Sequence, residues 1–206
     1  LVIYQFYARS PAIEPASVDK MAFPLPKRPS IAVLPFDNMS GDPKEDYFSD
    51  GLTEQIITSL SKYPRLFVIA RQSSFHYKDK PLKVQQVAEE LGVRYVLEGS
   101  IHRAGEKVRI NAQLIDAITG RHLWAEKYDR ELKDIFALQD EITKNILMEL
   151  QVKLTWGETA KTFKTKNLKA WEYSIKGLHL FYNSSKGDNA KAAELLNKAI
   201  ELDSDY

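Results

Sequence analysis

The sequence predicts a mixed-sheet α/β domain in the order β-α-β-α-β-β-β-α, followed by an all-α helical hairpin. Three observations carry that prediction. Residues 93–128, VRYVLEGSIHRAGEKVRINAQLIDAITGRHLWAEKY, read as a three-stranded meander. In its middle strand Val108, Ile110, Ala112 and Leu114 alternate with Lys107, Arg109, Asn111 and Gln113, the period of a half-buried strand. Upstream, two short apolar runs flank a helix-period stretch, the pattern of a parallel strand pair joined by a crossover helix. Downstream of residue 166, two amphipathic segments are split by a polar break.

The chain opens on Leu1 rather than Met and closes at Tyr206, where a helical repeat calls for a successor, so a piece of a longer protein is expected. Leu1 to Tyr7, LVIYQFY, is apolar. It makes about 10 Å of helix at ~1.5 Å per residue, against roughly 30 Å of bilayer hydrocarbon. It reads either as the end of a transmembrane helix begun upstream, with Tyr4 and Tyr7 at the interface, or as an apolar scrap of linker. Pro11, Pro15, Pro24, Pro26 and Pro29 are five of the nine prolines, so residues 1–29 are predicted to be a membrane-proximal, semi-rigid tether.

The α/β domain is expected over 30–154. Ser30 to Phe36 reads as a buried strand, with a loop from Asp37 to Ser40. Asp42-Pro43 supplies an N-cap and a first-turn proline for a helix carrying Phe48, Leu52, Ile56 and Leu60 on one face. Leu66 to Ala70 is the second buried strand, followed by a polar loop from Arg71 to Lys78. The second helix turns Val84, Val87, Ala88 and Leu91 inward and stops at Gly92, suited to a left-handed C-cap. Ala104-Gly105-Glu106 and Ile118-Thr119-Gly120 are the meander turns, where glycine accepts the positive φ of a tight hairpin. Gly99, inside the first meander strand, predicts a bulge or a close backbone approach. Asp134 is expected to cap a helix with Ile135, Leu138, Ile142, Ile146, Leu150 and Leu154 on one stripe. A linker is predicted over 155–166.

Residues 167–206 are expected to form a tetratricopeptide-type helical hairpin, the first of several. Tyr173, Gly177 and Leu180, then Ala192, Leu196 and Ala199, occupy its large and small positions, with the break near Ser184 to Gly187. The segment between the helices is longer than the pattern, and Ser204 stands where proline is usual. A generic αα-hairpin is the alternative.

Charge and composition exclude several functions. The net charge of +1, from 29 basic and 28 acidic residues, gives no basic face for a nucleic-acid backbone. With no cysteine, disulfides, thiolate catalysis and thiolate-ligated metals are excluded. Walker, GxGxxG, HExxH and GxSxG patterns are all missing. His76, His102, His122 and His179 share no ligand spacing, and neither a metal nor a cofactor is expected. The run Asp37, Asp42, Asp46, Asp50 is read as cap and helix-dipole chemistry rather than a cation site. Trp124 and Tyr128 share a strand face and are read as packing rather than a ligand platform. No catalytic residue is assigned.

SIAVLPFDNMSGD, YFSDGLTEQIITSLSKY, LFVIARQSSFHYK, ELGVRYVLEGSIHRAGEKVRINAQLIDAITGRHLWAEKYDR and DIFALQDEIT together resemble the TolB-amino-terminal-like domain of bacterial signalling proteins. The likeness runs from about Ser30 to Leu154. It implies a domain that commonly follows one membrane span and precedes tetratricopeptide repeats. Upstream of the span it implies a class III adenylate or guanylate cyclase, or a winged-helix DNA-binding domain. Leu82-Lys83 departs from it, because relatives offer an aspartate as helix cap there. The expectation is therefore a non-catalytic regulatory and protein-interaction module, tethered to a membrane and lying on the periplasmic side. Its partners would be proteins bound through the repeats, and a homodimer is a separate expectation. A structural adaptor in an envelope assembly is the alternative.

A small anionic ligand is also expected. If the first two strands are parallel, their carboxyl ends meet at one sheet edge, where open α/β folds place ligands. Asp37, Asn38 and Ser40 would come from one loop and Arg71, Ser73 and Ser74 from the next, beside a helix N-terminus. The competing reading pairs Arg71 with Asp37 and leaves the serines to satisfy the backbone.

Overall fold

A computed structural model describes residues 13–81, 83–150, 167–183 and 189–203. The apolar run at 1–7, Leu82, Leu154, the linker at 155–166, the inter-helix break and Ser204 lie outside the described residues. The elements are β1 (Ser30–Val33), β2 (Asp37–Asn38), α1 (Asp46–Ser61), β3 (Phe67–Val68), α2 (Arg71–Phe75), α3 (Val84–Leu91), β4 (Tyr95–Ala104), β5 (Lys107–Asp116), β6 (Arg121–Glu131), α4 (Ile135–Glu149), α5 (Leu168–Asn183) and α6 (Asn189–Leu202). One mixed sheet runs β3-β1-β4-β5-β6, with β2 also on β4. β1 is parallel to β3 and β4, whereas β4, β5 and β6 form the antiparallel meander. Gly105 and Gly120 take φ of +60° and +65° in its two turns.

The first strand is shorter than its apolar run because Pro35 has no N–H to give the ladder. Leu34 N–H still reaches Leu97 O at 2.9 Å, and then the chain steps out of the sheet. Phe36 turns its N–H onto Thr53 Oγ1 of α1 at 3.0 Å, and β2 rejoins β4 with Asp37 opposite Ser100. Asp37 and Asn38, expected in a loop, are therefore strand residues. Of the second run only Phe67 and Val68 pair, and the expected loop from Arg71 opens as helix α2.

Each sheet face has its own apolar layer. Ile31, Val33, Leu97, Ile110 and Leu114 pack with Phe48, Leu52, Ile56 and Leu60 of α1 and with Ile135, Leu138, Ile142 and Ile146 of α4. On the other face Ala32, Val96 and Ile115 pack with Val84 and Ala88 of α3 and with Ala16. Gly92 closes α3 at φ +63°. Asp42 caps the 3-10 turn before α1, its Oδ1 accepting from Lys44 N–H at 2.9 Å. Asp134 sits at the N-cap of α4 but makes no side-chain cap bond, because a 3-10 turn, Leu132–Asp134, leads into the helix instead.

Two sequence expectations gain detail. From Ile13 on, the proline-rich segment is bonded to the domain. Ala16 N–H reaches Ala117 O at 2.7 Å, Ser17 N–H reaches Glu89 Oε1 at 2.8 Å, and Ile13 O closely approaches Gly120. Gly99 stays in unbroken register opposite Ala112, so it marks a close approach and no bulge. A Cβ there would press on Asn111 O and lie 2.8 Å from the Phe36 ring. The ladder's one irregularity lies elsewhere, between Leu114 and Ile115 against β6.

Candidate functional site

The loop residues expected to form one anion site separate into two groups. Asn38 is consumed locally. Its Nδ2 donates to Asp42 O at 2.8 Å and to Asp46 Oδ1 at 2.7 Å, and its Oδ1 accepts from Ser40 N–H at 2.9 Å. Ser40 Oγ accepts from Arg103 N–H at 2.9 Å. Arg71, at the start of α2, donates from Nε to Glu54 Oε2 at 2.9 Å and not to Asp37. Its guanidinium is sandwiched between the rings of Phe75 and Tyr182, 3.9 and 4.0 Å from their centroids. Ser73 is exposed and Ser74 is buried. Among the described residues no hydrogen bond or ion pair joins Asp37, Asn38 or Ser40 to Arg71, Ser73 or Ser74. The cation expected to recognise an anion is thus already neutralised and covered.

A cleft of about 940 Å³ lies beside Asp37 and Asn38. Its floor is the open face of the sheet, with Glu98, Ser100, Asn111 and Gln113, and its rim is the turn from Tyr77 to Pro81. Burial pushes the Glu98 carboxyl above its ordinary range, against a 2.6 Å hydrogen bond from Gln113 Nε2. Asp37 is raised too, first by burial and then by the charge of Asp79. Two reluctant carboxyls suit a hydrogen-bond donor better than an anion. Among the described residues no group of three or more histidine, aspartate or glutamate side chains could hold a metal ion.

The most connected polar cluster lies where α5 crosses α1. Asp50, 3% exposed, accepts from Lys78 Nζ at 2.8 Å on both oxygens and lies 3.1 Å from His179 Nδ1 of α5. Burial opposes its ionisation, yet the hydrogen bonds from His179 and Lys78 outweigh burial and hold its pKa below the ordinary carboxylate value. Arg103 lies on the same side. It donates to Tyr47 Oη at 2.9 Å and pairs with Glu45 and Glu172, each at 3.4 Å. Between the two ion clusters Trp171 is fully buried, its ring edge-on to Phe48 and Phe136 at 5.6 and 5.7 Å. Ile175 is 1% exposed and, with Trp171, belongs to the main core.

Sequence reasoning placed Asp50 among helix-dipole acids and left His179 unassigned. One signal was available: Asp46 and Asp50 stand one helical turn apart, and Lys78 reaches both, at 3.6 and 2.8 Å. Nothing local points across the 129 residues to His179. Trp124 and Tyr128 pack at 6.3 Å and share Glu126 Oε2 as acceptor.

These features define a class: a mixed-sheet α/β domain whose core continues into the first helix of an αα-hairpin. Residues 27–145 match the family described as HilA/YgeH-like transcriptional regulator, second domain, and the chain belongs to that family. A protein of Rhizobium meliloti (strain 1021) named "Putative adenylate cyclase 3" is 48% identical over 204 residues, covering 98% of this chain and 35% of that protein. The chain thus spans about a third of the length of this curated relative. Among solved structures, TolB from Acinetobacter baumannii overlaps at a TM-score of 0.45 and 20% identity, over 63% of this chain and 30% of its own. A PelC dodecamer from Paraburkholderia phytofirmans overlaps at 0.43 and 18%, over 68% and 96%. The LpoB C-terminal domain from Salmonella enterica overlaps at 0.39 and 16%, over 50% and 82%.

Proposed function

We propose that this chain is a non-catalytic regulatory and protein-interaction module of a bacterial signalling protein, and that it biases an adenylate cyclase domain attached upstream. The observation that carries the reading is the core shared across α1 and α5. Trp171 and Ile175 lie inside the α/β domain's apolar cluster, so a partner bound on the hairpin pulls directly on helix α1. The R. meliloti relative's name supports the cyclase attachment. Gly177, whose added Cβ would lie 2.8 Å from Leu196 Cγ, and buried Ala192 and Ala199 support close helix pairing of the tetratricopeptide type. Protein partners follow from that pairing. The ligand side of the proposal moves to the cleft beside Asp37 and Asn38.

A membrane tether rests on the apolar run at 1–7, and a periplasmic position on the resemblance, which puts the output domain upstream of the span. Among the described residues no helix is long and apolar enough to cross a membrane. The family match favours a second reading, in which the same module serves a transcriptional regulator.

Two measurements test the proposal. The purified chain, incubated with ATP and Mg²⁺ or Mn²⁺, is expected to yield no cyclic nucleotide. Deleting the matching segment from the R. meliloti relative is expected to change cellular cyclic-AMP output while the remainder still catalyses. Product from the chain alone, or unchanged output on deletion, contradicts the reading.

A further inference from the structure

The two edges of the sheet are unlike. β3 pairs over two residues only, whereas β6 runs from Arg121 to Glu131 with nine of its eleven residues exposed and β5 as its one ladder partner among the described residues. An antiparallel edge strand turns alternate N–H and C=O groups outward, and long unprotected edges pair with other strands. Charged side chains commonly blunt such an edge. On β6, however, their spacing is self-complementary.

Two copies can pair β6 to β6 antiparallel about a two-fold axis that keeps each sheet face on its own side. Shifting the axis by one residue along the strand moves the register by two, so side chains keep their faces and each register can be tested for charge. The irregularity against Leu114 and Ile115 falls at Leu123, which leaves Trp124 to Glu131 as the regular stretch. With Glu126, Lys127 or Asp129 on the axis, a charge opposes itself. With Tyr128 on the axis, Lys127 faces Asp129 of the second copy and Glu126 faces its Arg130. Each pair then occurs twice. Lys127 and Asp129 are more than half exposed, at 58% and 52%. Within one copy they pair with each other at 3.7 Å, Asp129 pairs with Arg109 at 2.6 Å and Arg130 with Glu141 at 3.2 Å, so the cross-copy pairs form by exchange of these exposed contacts.

We propose that the chain forms a homodimer through this antiparallel β6–β6 contact, with Tyr128 at the two-fold axis and Lys127–Asp129 and Glu126–Arg130 as the cross-strand pairs. The sheets of the two copies then become continuous. The contact uses neither the cleft nor the α1–α5 crossing, so it stands apart from the proposed function.

Sedimentation equilibrium of the full chain and of three variants tests this. The parent is expected to be in concentration-dependent monomer–dimer equilibrium. Lys127→Asp and Asp129→Lys alone each put like charges opposite one another and are expected to weaken the dimer at least tenfold. The double variant Lys127→Asp/Asp129→Lys restores opposite charges and is expected to return most of the affinity, which also shows that the substituted strand still folds. A parent that stays monomeric at every concentration overturns the proposal. So do single variants that dimerise like the parent, or a double variant no tighter than either single.

Discussion

Gly51 of α1 and Ile175 of α5 meet where no side chain fits between the helices: a Cβ on Gly51 would lie 2.6 Å from Ile175 Cβ and 2.7 Å from its Cγ2. Gly51→Val forces α5 away from α1 or strains both, and overpacking of a close core contact costs about 1–3 kcal/mol. Urea denaturation of the variant is expected to show that loss. Ile175→Gly in the Gly51→Val background, which removes the Cβ, Cγ2 and Cδ1 that the new side chain meets, is expected to cost less than the sum of the two single substitutions, because the two sites share one contact.

Asp50 sets a pH limit on the same crossing. Its folded pKa lies below the ordinary value, so its contribution to stability is complete above that value and fades as pH falls through the lowered one. Asp50→Asn is expected to cost about 1.5–3 kcal/mol at pH 7, the range for hydrogen bonds to charged groups. The gap between parent and variant is expected to narrow below about pH 4. Thermal melts of both proteins from pH 7 to pH 3 measure it.

Glu54 behaves in the opposite sense. Burial raises its pKa even with Arg71 bonded to it, so keeping it ionised costs stability at neutral pH and protonation on acidification relieves the cost. Arg71→Ala takes away the compensating cation. The variant is expected to melt lower than the parent at pH 7, and the deficit is expected to shrink toward pH 5. A deficit independent of pH would assign the loss to the Phe75 and Tyr182 stacking instead.

Gly99→Val tests the sheet interior. Its Cβ would meet Asn111 O across the ladder and the Phe36 ring beside it, so a loss above about 1 kcal/mol is expected, beyond the usual surface level. An unchanged denaturation midpoint would show that the neighbours yield freely.

The meander was legible because its signals are local: strict alternation from Lys107 to Leu114 and a positive-φ glycine in each turn. Parallel pairing of β1 and β3 followed from two apolar runs around one helix. The interruption at Pro35 is local too, since a residue without N–H cannot hold a ladder, but the buried run around it hides the break. The crossing of α1 and α5 had no such signal. Trp171 and Ile175 lie on a helix whose stripe could face a second repeat or another domain equally well, and the choice is made by shape at Gly51. Arg71 shows the same limit. A cation after a buried strand was read as an anion receptor, while its acceptor and its ring from α5 lie 17 and 111 residues away.

If the α1–α5 crossing transmits regulation, Glu172→Lys at that crossing alters the output of an attached cyclase. That substitution sets a second cation against Arg103, at a partly exposed position outside the apolar core. The measurement is cyclic-AMP formation by the R. meliloti relative with its matching segment replaced by this chain, carrying either Glu172 or lysine there. Both proteins are expected to fold and catalyse, and the substitution is expected to change the rate of product formation. Equal rates from the two, with the crossing shown to be loosened by faster amide exchange in α5, would contradict it.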